Sequence, residues 1–547
     1  MDIIEALDFF DPSRFSFADE EESALKEALL QILAKEGDRP FYREREEGHL
    51  TASAMILDPE LKRVLAVYHN IYRSLSWTGG HADGERDLLA AAVREAKEET
   101  GITKVQPYYG GILSLDLLPV PAHEKKGKAI ASHRHFSVAY VLIAPFDQPI
   151  RIKPDENSAV EWVEIEEFLD RCSEPHMIGV YEKVFARIQE IRQWKEKACQ
   201  GFAERLVSWY QTASRELPWR KDREPYHVWL SEIMLQQTRV EAVRSYYTRF
   251  LEALPDVAAL ARANRQQLMK LWEGLGYYSR AANLQKSAWI IQEEYGGRFP
   301  REYEEILALP GIGEYTAGAI SSICFGKPYP AVDGNVLRVF ARVTELYENV
   351  LQPGVKKAVT GKMQQVYLYN QQLGQDPGAL TQALMELGAT VCVPGKKPRC
   401  QICPVKGLCL ANRNGTWKSL PVREKKKEKR QEEMTVFLLE KKGRIALRKR
   451  PDRGLLAGLW ELPHMPSFLT EQQALDQVKR WGYVPLFLQK ALRRQHVFTH
   501  IRWDMLCYTI KIEEEADMGP EREDFLWAEK SQLKEQLPLP SAFQLFL

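Results

Sequence analysis

The sequence predicts three consecutive domains, an α/β domain, an all-α domain and a second α/β domain, and three observations support this division. With 547 residues the chain is too long for one hydrophobic core, because single cores stop growing at roughly 250 to 300 residues. Strand patterns at both ends of the chain flank a long stretch of amphipathic helical patterns. The charged run REKKKEKR before the last strand patterns indicates a linker. We therefore expect domains over residues 1–195, 200–412 and 433–547, with a charged linker over 413–432.

Charge is divided unevenly between the two parts of the chain. Residues 1–195 contain 24 lysines and arginines against 35 aspartates and glutamates, a net charge of −11, and the remainder carries +11. A basic segment joined to an acidic one indicates that the second part contacts a polyanion such as nucleic acid, although uneven solvated surface charge is the alternative. No apolar run approaches the roughly 18 residues that a membrane span requires, and the acidic N-terminus lacks the layout of a secretory signal. We expect a cytoplasmic protein without membrane contact.

The N-terminal segment has the pattern of a mixed α/β domain. Residues 50–68 predict two strands around an Asp-Pro turn, followed by a glycine-rich loop and the helix LLAAAVREAKEET, which ends at Gly101. Glu95, Glu98 and Glu99 of this helix are three and four residues apart, so their like charges repel on one helix face. A hard cation such as Mg²⁺ would resolve this repulsion, and a solvated acidic face is the alternative.

Amphipathic helices with short polar connections follow from Phe202 to about Gly388 and predict an all-α domain. Within them, LPGIGEYTAGA places Gly311 and Gly313 between two helices. Glycines there allow a tight turn whose backbone N–H groups can hold a phosphate at a helix N-terminus, and a plain interhelical turn is the alternative.

Two carboxylates flank this hairpin in the sequence. Glu232 lies on an otherwise apolar helix, and Asp333 precedes the sequence GNV. Either side chain could be a helix cap or a salt-bridged group. The alternative is a general acid beside an ionised carboxylate, which is the pairing that cleaves glycosidic bonds.

Four of the eight cysteines are close together near the end of the helical segment. Their gaps are seven, two and five residues, whereas zinc sites more often use two close pairs separated by roughly 12 to 20 residues. The spacing therefore favours a four-iron cluster over zinc. The cysteines are Cys392, Cys400, Cys403 and Cys409.

The residues around Gly101 resemble the Nudix box, in which a glycine and a loop precede a helix that carries Arg-Glu and Glu-Glu before a second glycine. Arg94, the three glutamates and Gly101 fall on its positions, but Arg86 stands where the box has a glutamate, with Glu85 one residue early. The resemblance implies a Mg²⁺-dependent hydrolase acting on a nucleoside diphosphate linked to another group.

The segments LPWR, WLSEIMLQQT, LWEGLGYYSRAANL, LPGIGEYTAGAI, AVDGNVLRV and MELGATVC occur in the order seen in MutY adenine glycosylases of the helix-hairpin-helix superfamily. This resemblance covers residues 202–547. It implies a DNA-repair enzyme that excises adenine mispaired with 8-oxoguanine or guanine in duplex DNA. The implied fold is an α/β Nudix domain, an all-α helix-hairpin-helix glycosylase domain with an iron–sulfur loop, and an α/β Nudix-like C-terminal domain.

The resemblance also implies roles for individual residues. Glu232 would protonate adenine at N7, and Asp333 would stabilise the oxocarbenium-like sugar. A relative, endonuclease III, has a lysine that forms a Schiff base at the position of Tyr315, so a monofunctional glycosylase leaving an abasic site is implied. The remaining implied residues are Tyr315 and Asn335 as supports of the two carboxylates, Gln237 and Tyr277 as wedges in the duplex, and Arg220 and Glu386 as pocket positions.

By the same resemblance, the four cysteines hold a 4Fe-4S cluster, with seven residues in a first gap that usually has six. The C-terminal domain would read 8-oxoguanine, with Phe498, Thr499 and His500 at the lesion, although each could instead be a strand residue in a core. Its helix LTEQQALDQVKRWG lacks the paired glutamates of a metal site. Two other interpretations remain open: a Nudix pyrophosphohydrolase merely tethered to DNA, and a DNA-binding regulator that uses a Nudix fold as a ligand sensor.

Overall fold

In the computed structural model the chain forms two compact units, each assembled from two separate stretches of sequence. The first unit comprises Met1–Ser214 and Val332–Glu424, and the second comprises Arg215–Ala331 and Lys425–Leu547. The structure describes residues 1–547 except 18–19, 46, 126–127, 396, 425–428, 452–453, 499, 516–520 and 522. Among the described residues, no helix is both long enough and apolar enough to cross a membrane.

The N-terminal part of the first unit is built on a seven-stranded sheet beside a small two-stranded ladder. In chain order its strands are β1 (His49–Leu57), β2 (Arg63–His69), β3 (Ser74–Ser76), β4 (Thr78–His81), β5 (Gln106–Val120), β6 (His123–Lys125), β7 (Lys128–Ile130), β8 (His133–Ile143) and β9 (Asn157–Glu164). The sheet has the order β3-β2-β1-β8-β5, β4 pairs with β1, and β9 pairs with β2. Strand β1 is buried along its whole length and pairs in parallel with β8, as expected for a central strand covered on both faces.

Five helices accompany this sheet among the described residues: α1 (Ile3–Phe9), α2 (Glu20–Glu36), α3 (Leu88–Thr100), α4 (Ile165–Asp170) and α5 (Pro175–Gln200). Helix α3 begins at the Asp87 cap, whose side chain accepts a hydrogen bond from the backbone N–H of Ala90. It ends at Gly101, which has a left-handed φ of 72°. The α/β prediction for this part and the predicted limits of α3 are confirmed.

The middle of the chain is helical, and no described residue between 202 and 424 lies in a strand. Helix α6 and helices α14 to α17 belong to the first unit, and α7 to α13 belong to the second. The all-α prediction is thus confirmed. The helices are α6 (Phe202–Ala213), α7 (Pro225–Leu235), α8 (Val240–Ala253), α9 (Val257–Arg262), α10 (Arg265–Leu271), α11 (Ser279–Glu294), α12 (Tyr303–Ala308), α13 (Glu314–Phe325), α14 (Gly334–Thr344), α15 (Pro353–Gln372), α16 (Pro377–Thr390) and α17 (Leu410–Arg413).

The C-terminal part of the second unit repeats the topology of the first sheet. Its strands are β10 (Arg430–Lys441), β11 (Arg444–Lys449), β12 (Trp460–Glu461), β13 (His464–Pro466), β14 (Tyr483–Val497), β15 (Ile501–Glu515) and β16 (Leu526–Glu529). They have the order β12-β11-β10-β15-β14, again with a central parallel pair, β10 and β15. The helices are α18 (Glu471–Arg480), α19 (Lys530–Glu535) and α20 (Ser541–Gln544). The predicted repeat of fold is therefore present.

Within the first unit, Glu345 joins the N-terminal sheet to the helical stretch. Its carboxylate is buried and accepts hydrogen bonds from the Gly110 N–H at 3.1 Å, from Asn414 Nδ2 at 2.9 Å and from Thr416 Oγ1 at 2.5 Å. Tyr109 of β5 donates to Asn414 Oδ1 at 2.8 Å. Asn414 and Thr416 lie in the segment predicted as a charged linker, so the start of that segment is packed rather than solvated.

Candidate active sites

Glu232 lies near the end of α7, a helix whose buried residues are mostly apolar. The helix buries eight consecutive or near-consecutive residues, including Trp229, Ile233 and Met234, and the Glu232 side chain is itself only 5% exposed. Helix α7 packs against α13 of the glycine hairpin in the same unit. The second unit therefore buries this carboxyl group on the helix that packs against the hairpin.

Asp333 is the N-cap of α14 and is held by three hydrogen bonds. Oδ1 accepts the backbone N–H groups of Asn335 and Val336, each at 2.8 Å, and Oδ2 accepts the Asn335 side-chain amide at 2.7 Å. Asp333 is therefore a helix cap, as one of the two alternatives for this residue predicts. Asp333 is thus half-exposed and accepts three hydrogen bonds, whereas Glu232 is buried.

Glu232 belongs to the second unit of the structure, and Asp333 belongs to the first. The predicted convergence of the two side chains on one nucleotide stays a prediction. The same division separates Tyr315, a half-buried residue in the first turn of α13, from Asn335.

The glycine hairpin connects α12 to α13 as the sequence predicts. Gly311 has a left-handed φ of +81°, and a Cβ there would lie 2.7 Å from the Cβ of Asn283. Gly313 is the N-cap of α13, and a Cβ at this position would meet no atom within 4 Å. Gly311 is thus required by the packing, whereas Gly313 is exposed at the N-terminus of α13, where the first N–H groups of a helix have no intrahelical partner.

Gln237 and Tyr277 both have a left-handed backbone, with φ of 60° and 47°. Neither is glycine, so each conformation is strained. Gln237 is exposed, and the Tyr277 side chain is 44% exposed. Two strained, exposed side chains are suited to entering a duplex, which keeps the prediction of a wedge role open.

The two predicted pocket positions differ in burial. Arg220 ends a short 3-10 turn, Pro218–Arg220, in the second unit and is half-buried. Glu386 lies on α16 in the first unit and is fully buried. Their predicted contact with a flipped base stays a prediction.

All four clustered cysteines line one cavity in the first unit. Arg342 spans two of them: its Nη1 donates to Cys392 Sγ at 3.4 Å, and its carbonyl oxygen lies 3.3 Å from Cys409 Sγ. Burial raises the pKa of Cys403 to about 11 and also raises the pKa of Cys400. Among the described residues, no three of these sulfurs lie within 4.8 Å of one another, whereas thiolates on one zinc ion are about 3.8 Å apart.

The Nudix-box glutamates Glu95, Glu98 and Glu99 line a cavity of about 1400 Å³ beside the N-terminal sheet. Glu99 accepts a hydrogen bond from the Gly79 N–H at 2.8 Å, and burial raises its pKa to about 8. Burial also raises the pKa of Glu95. A divalent cation would offset this penalty, so the residues fit a Mg²⁺ site.

The departure at Arg86 has a structural explanation. Its guanidinium forms ion pairs with Asp2 and Asp38 and does not line the cavity. The Glu85 side chain accepts the backbone N–H of Asp87, and it does not line the cavity either. Neither residue replaces the missing carboxylate of the box.

The predicted lesion loop is the tip of the hairpin between β14 and β15. Phe498 packs edge-on against Trp503 with ring centroids 4.7 Å apart, and its N–H donates to the Ile501 carbonyl at 2.8 Å. His500 is exposed, and Thr499 lies outside the described residues. Phe498 is therefore at least partly a packing residue, which was the alternative to a role at the lesion. Contact of this loop with 8-oxoguanine stays a prediction.

Comparisons with known proteins agree with this arrangement. A model of HhH-GPD superfamily base excision DNA repair proteins matches residues 230–360, and NUDIX domain models match residues 48–184 and 435–547. The chain is 37% identical over 375 residues to the adenine DNA glycosylase of Homo sapiens, covering 57% of this chain and 67% of that protein. For the adenine DNA glycosylase of Mus musculus, identity is 36% over 374 residues, covering 57% and 71%. The chain belongs to the adenine DNA glycosylase family.

Among solved structures, a thermostable thymine-DNA glycosylase matches 40% of this chain and 97% of its own, with 28% identity and a TM-score of 0.36.

In this adenine DNA glycosylase family member, Arg280 bonds to the turns that carry both predicted wedge residues, and no motif in the sequence indicates it. Its Nη1 donates to the carbonyls of Ile233 and Gln236 at 2.6 and 2.8 Å, and its Nη2 donates to those of Leu275 and Gly276, both at 3.0 Å. The guanidinium therefore forms hydrogen bonds both with the end of α7 and with the turn before Tyr277. The only sequence signal is a basic residue two positions into a helix directly after the GYY turn.

Two further residues were missed. Arg338 donates to Asn335 Oδ1, to the Gly388 carbonyl and to the Cys392 carbonyl, each at 2.9 Å, and so connects the Asp333 cap to the cysteine loop. Glu156 lines the Nudix cavity, and its charge contributes to the raised pKa values of Glu95 and Glu99. Glu156 is the residue directly before β9 in the sequence, where no motif indicates it.

Proposed function

We propose that the chain is a monofunctional adenine DNA glycosylase that removes adenine mispaired with 8-oxoguanine or guanine in duplex DNA and leaves an abasic site. The contrast between the two carboxyl environments carries the proposal. Glu232 is buried on a mostly apolar helix, and Asp333 is half-exposed with three hydrogen-bond donors. This difference suits one acid to donate a proton and the other to act as its ionised partner.

In this mechanism, Glu232 gives its proton to N7 of the extruded adenine, which becomes a better leaving group. The C1′–N9 bond breaks, and the electron pair leaves with the base. Asp333 stays ionised and stabilises the positive charge that develops on the sugar, and a water molecule completes the substitution. Asn335 keeps the Asp333 carboxylate oriented. Tyr315 cannot form a Schiff base, so the DNA strand is not cut.

Single-turnover release of adenine from a duplex with adenine opposite 8-oxoguanine tests the assignment. Glu232→Gln should reduce the rate by roughly 10²- to 10⁴-fold, because it removes a general acid, while DNA affinity changes little. Glu241→Gln is the matched control, since the Glu241 side chain is 79% exposed on α8. Normal base release by Glu232→Gln would contradict the mechanism. Absence of base release from the wild type would favour the tethered hydrolase or the regulator.

The cysteine cavity fits a 4Fe-4S cluster held by Cys392, Cys400, Cys403 and Cys409. A cluster is larger than a single ion, so its sulfur ligands lie farther apart. The four sulfurs line one cavity, yet among the described residues no three of them lie within 4.8 Å of one another, which agrees with the larger group. When bound, the cluster would hold the loop in shape beside Arg342. About four iron atoms per chain and a brown protein are expected, whereas a colourless zinc protein would contradict the proposal.

A second activity is supported by the Nudix cavity. We propose that Glu95, Glu98 and Glu99 hold Mg²⁺ while a nucleoside diphosphate derivative is hydrolysed at its pyrophosphate, with oxidised dGTP as one substrate to test. The carboxylates supply oxygen ligands, and the cavity is large enough for a nucleotide. The full-length wild type should release phosphate products from nucleotides when Mg²⁺ is present and not when it is absent. The Glu99→Gln variant should release none even with Mg²⁺. Equal turnover by the two proteins would overturn this proposal without affecting base release.

A further inference from the structure

Three histidines on neighbouring strands of the N-terminal sheet point to the same face. His49 of β1 is the register partner of His135 on the parallel strand β8. His81 of β4 pairs with Thr51, two residues along β1 from His49. Paired residues, and residues two apart on one strand, share a face of a sheet, so strand pairing alone assembles the three imidazoles.

The three side chains are close enough to share one ion. One ring nitrogen from each lies within 4.8 Å of the others, and they are the only such group of three potential ligands in the part of the chain that is described. The ring centroid of His49 lies 4.9 Å from the ring centroid of His81 and also 4.9 Å from that of His135. Nitrogens on one tetrahedral zinc ion are about 3.3 Å apart, which rotation of the side chains can reach without moving the strands.

His49 supplies an independent indication of a ligand. It is 3% exposed, and neither of its buried ring nitrogens makes a well-formed hydrogen bond among the described residues, although the Arg45 backbone is a weak polar contact. A buried polar group without a partner costs free energy, which a metal–nitrogen bond would recover.

A fourth histidine orients one of the three. His133 Nδ1 lies 2.9 Å from the Ala131 carbonyl, which can only accept, so this nitrogen carries the proton. In neutral His133 the Nε2 atom is then an acceptor, and it lies 3.2 Å from His135 Nε2, which donates to it. The lone pair of His135 is thereby left on Nδ1. Metal-binding histidines usually have such a partner on the other ring nitrogen, which fixes the tautomer.

We propose that His49, His81 and His135 bind one divalent transition-metal ion of the zinc type, with a further coordination position open to the Nudix cavity. All three histidines line that cavity together with the glutamates of α3. Three imidazoles select zinc, cobalt or nickel, whereas the carboxylates select Mg²⁺, so the two sites take different cations. An open position on a zinc ion held by three histidines is the arrangement that takes a water molecule or a substrate oxygen.

Zinc uptake by the full-length protein tests this proposal and depends on neither base release nor nucleotide turnover. Protein of measured iron content is dialysed against Zn²⁺, and bound zinc is then counted per chain. The wild type should hold one zinc ion that His81→Asn and His135→Asn lose. His133→Asn, which removes the imidazole that accepts the orienting hydrogen bond of His135, should weaken zinc binding by about 10- to 100-fold.

His69→Asn is the matched control, because His69 lines the same cavity but its Nδ1 accepts the Ile71 N–H, and it should bind zinc as the wild type does. Co²⁺ added to the wild type should give the visible bands of a nitrogen-ligated ion, and this readout needs no variant to fold. Wild-type protein that takes up no zinc, or His81→Asn and His135→Asn proteins that bind it as tightly as the wild type, would overturn the proposal.

Discussion

Arg338 donates a hydrogen bond from Nη2 to the side-chain oxygen of Asn335 at 2.9 Å, and the amide of the same Asn335 donates to Asp333. The asparagine therefore cannot flip without losing both bonds. We expect Asn335→Ala to slow base release by about tenfold while costing about 2 kcal/mol of unfolding free energy, because the hydrogen bonds to the Asp333 carboxylate and from the Arg338 guanidinium are both lost. Single-turnover kinetics and denaturant unfolding measure the two effects. A large loss of stability with normal base release would contradict the orienting role.

Replacing Arg338 should affect the stability of the protein more than the rate of base release. The side chain is 4% exposed and donates to three acceptors, so Arg338→Met leaves the Gly388 and Cys392 carbonyls without their donor. We expect a loss of about 3 kcal/mol and a lower iron content, since the cysteine loop loses its attachment. Iron quantification and urea unfolding check this, and an unchanged iron content would contradict it.

Arg280 should be essential for the conformation of the Gln237 and Tyr277 turns. A methionine at this position cannot donate, so Arg280→Met should cost about 3 kcal/mol and release the strained backbone at both turns. Reduced fluorescence change of a 2-aminopurine base placed at the target would report impaired extrusion. Arg249→Met is the control, because Arg249 stacks on Tyr246 and makes one long hydrogen bond at 3.4 Å.

The two hairpin glycines give a matched pair of variants. Gly311→Ala should lose about 2 kcal/mol or more, because the left-handed φ and the contact with Asn283 both oppose a Cβ. Gly313→Ala should keep the wild-type stability, since its Cβ meets open space, but it should weaken binding to duplex DNA by crowding the N-terminus of α13. Thermal unfolding and DNA titration distinguish the two, and equal stability of both variants would contradict the packing argument.

The sequence allowed most of the fold to be predicted, but less of the connections between its parts. The period of the apolar residues predicts β1 and β2, and the Asp87 and Gly101 caps delimit α3, because these signals are local. The role of Arg280 depends on carbonyls up to 47 residues away, and Glu345 binds Gly110 across 235 residues. The histidine group arises only from strand register. Backbone acceptors and register leave no mark in residue types, so no motif could have revealed them.

Glu345 should make the stability of the first unit depend on pH. Burial raises the pKa of its carboxyl group above the ordinary value of 4.5, although the donors Thr416 and Asn414, the Gly110 N–H and the charge of Lys195 oppose this. A group with a raised folded-state pKa contributes stability that is present below its unfolded pKa and is lost as pH rises through the folded pKa. Unfolding free energy should therefore fall by this contribution above pH 4.5, and the fall should be absent in Glu345→Gln.

At neutral pH, Glu345→Gln should still be less stable than the wild type by about 1 to 3 kcal/mol. Four donors converge on the two carboxylate oxygens, the Tyr347 hydroxyl at 3.4 Å being the longest contact, and a glutamine amide would oppose one donor with another. Tyr109→Phe is the control, because it removes the hydroxyl that bonds to Asn414 but leaves the donors of Glu345 in place. Urea unfolding of the three proteins between pH 4 and pH 8 separates the contributions. The same pH dependence in the wild type and in Glu345→Gln would mean that another group carries it.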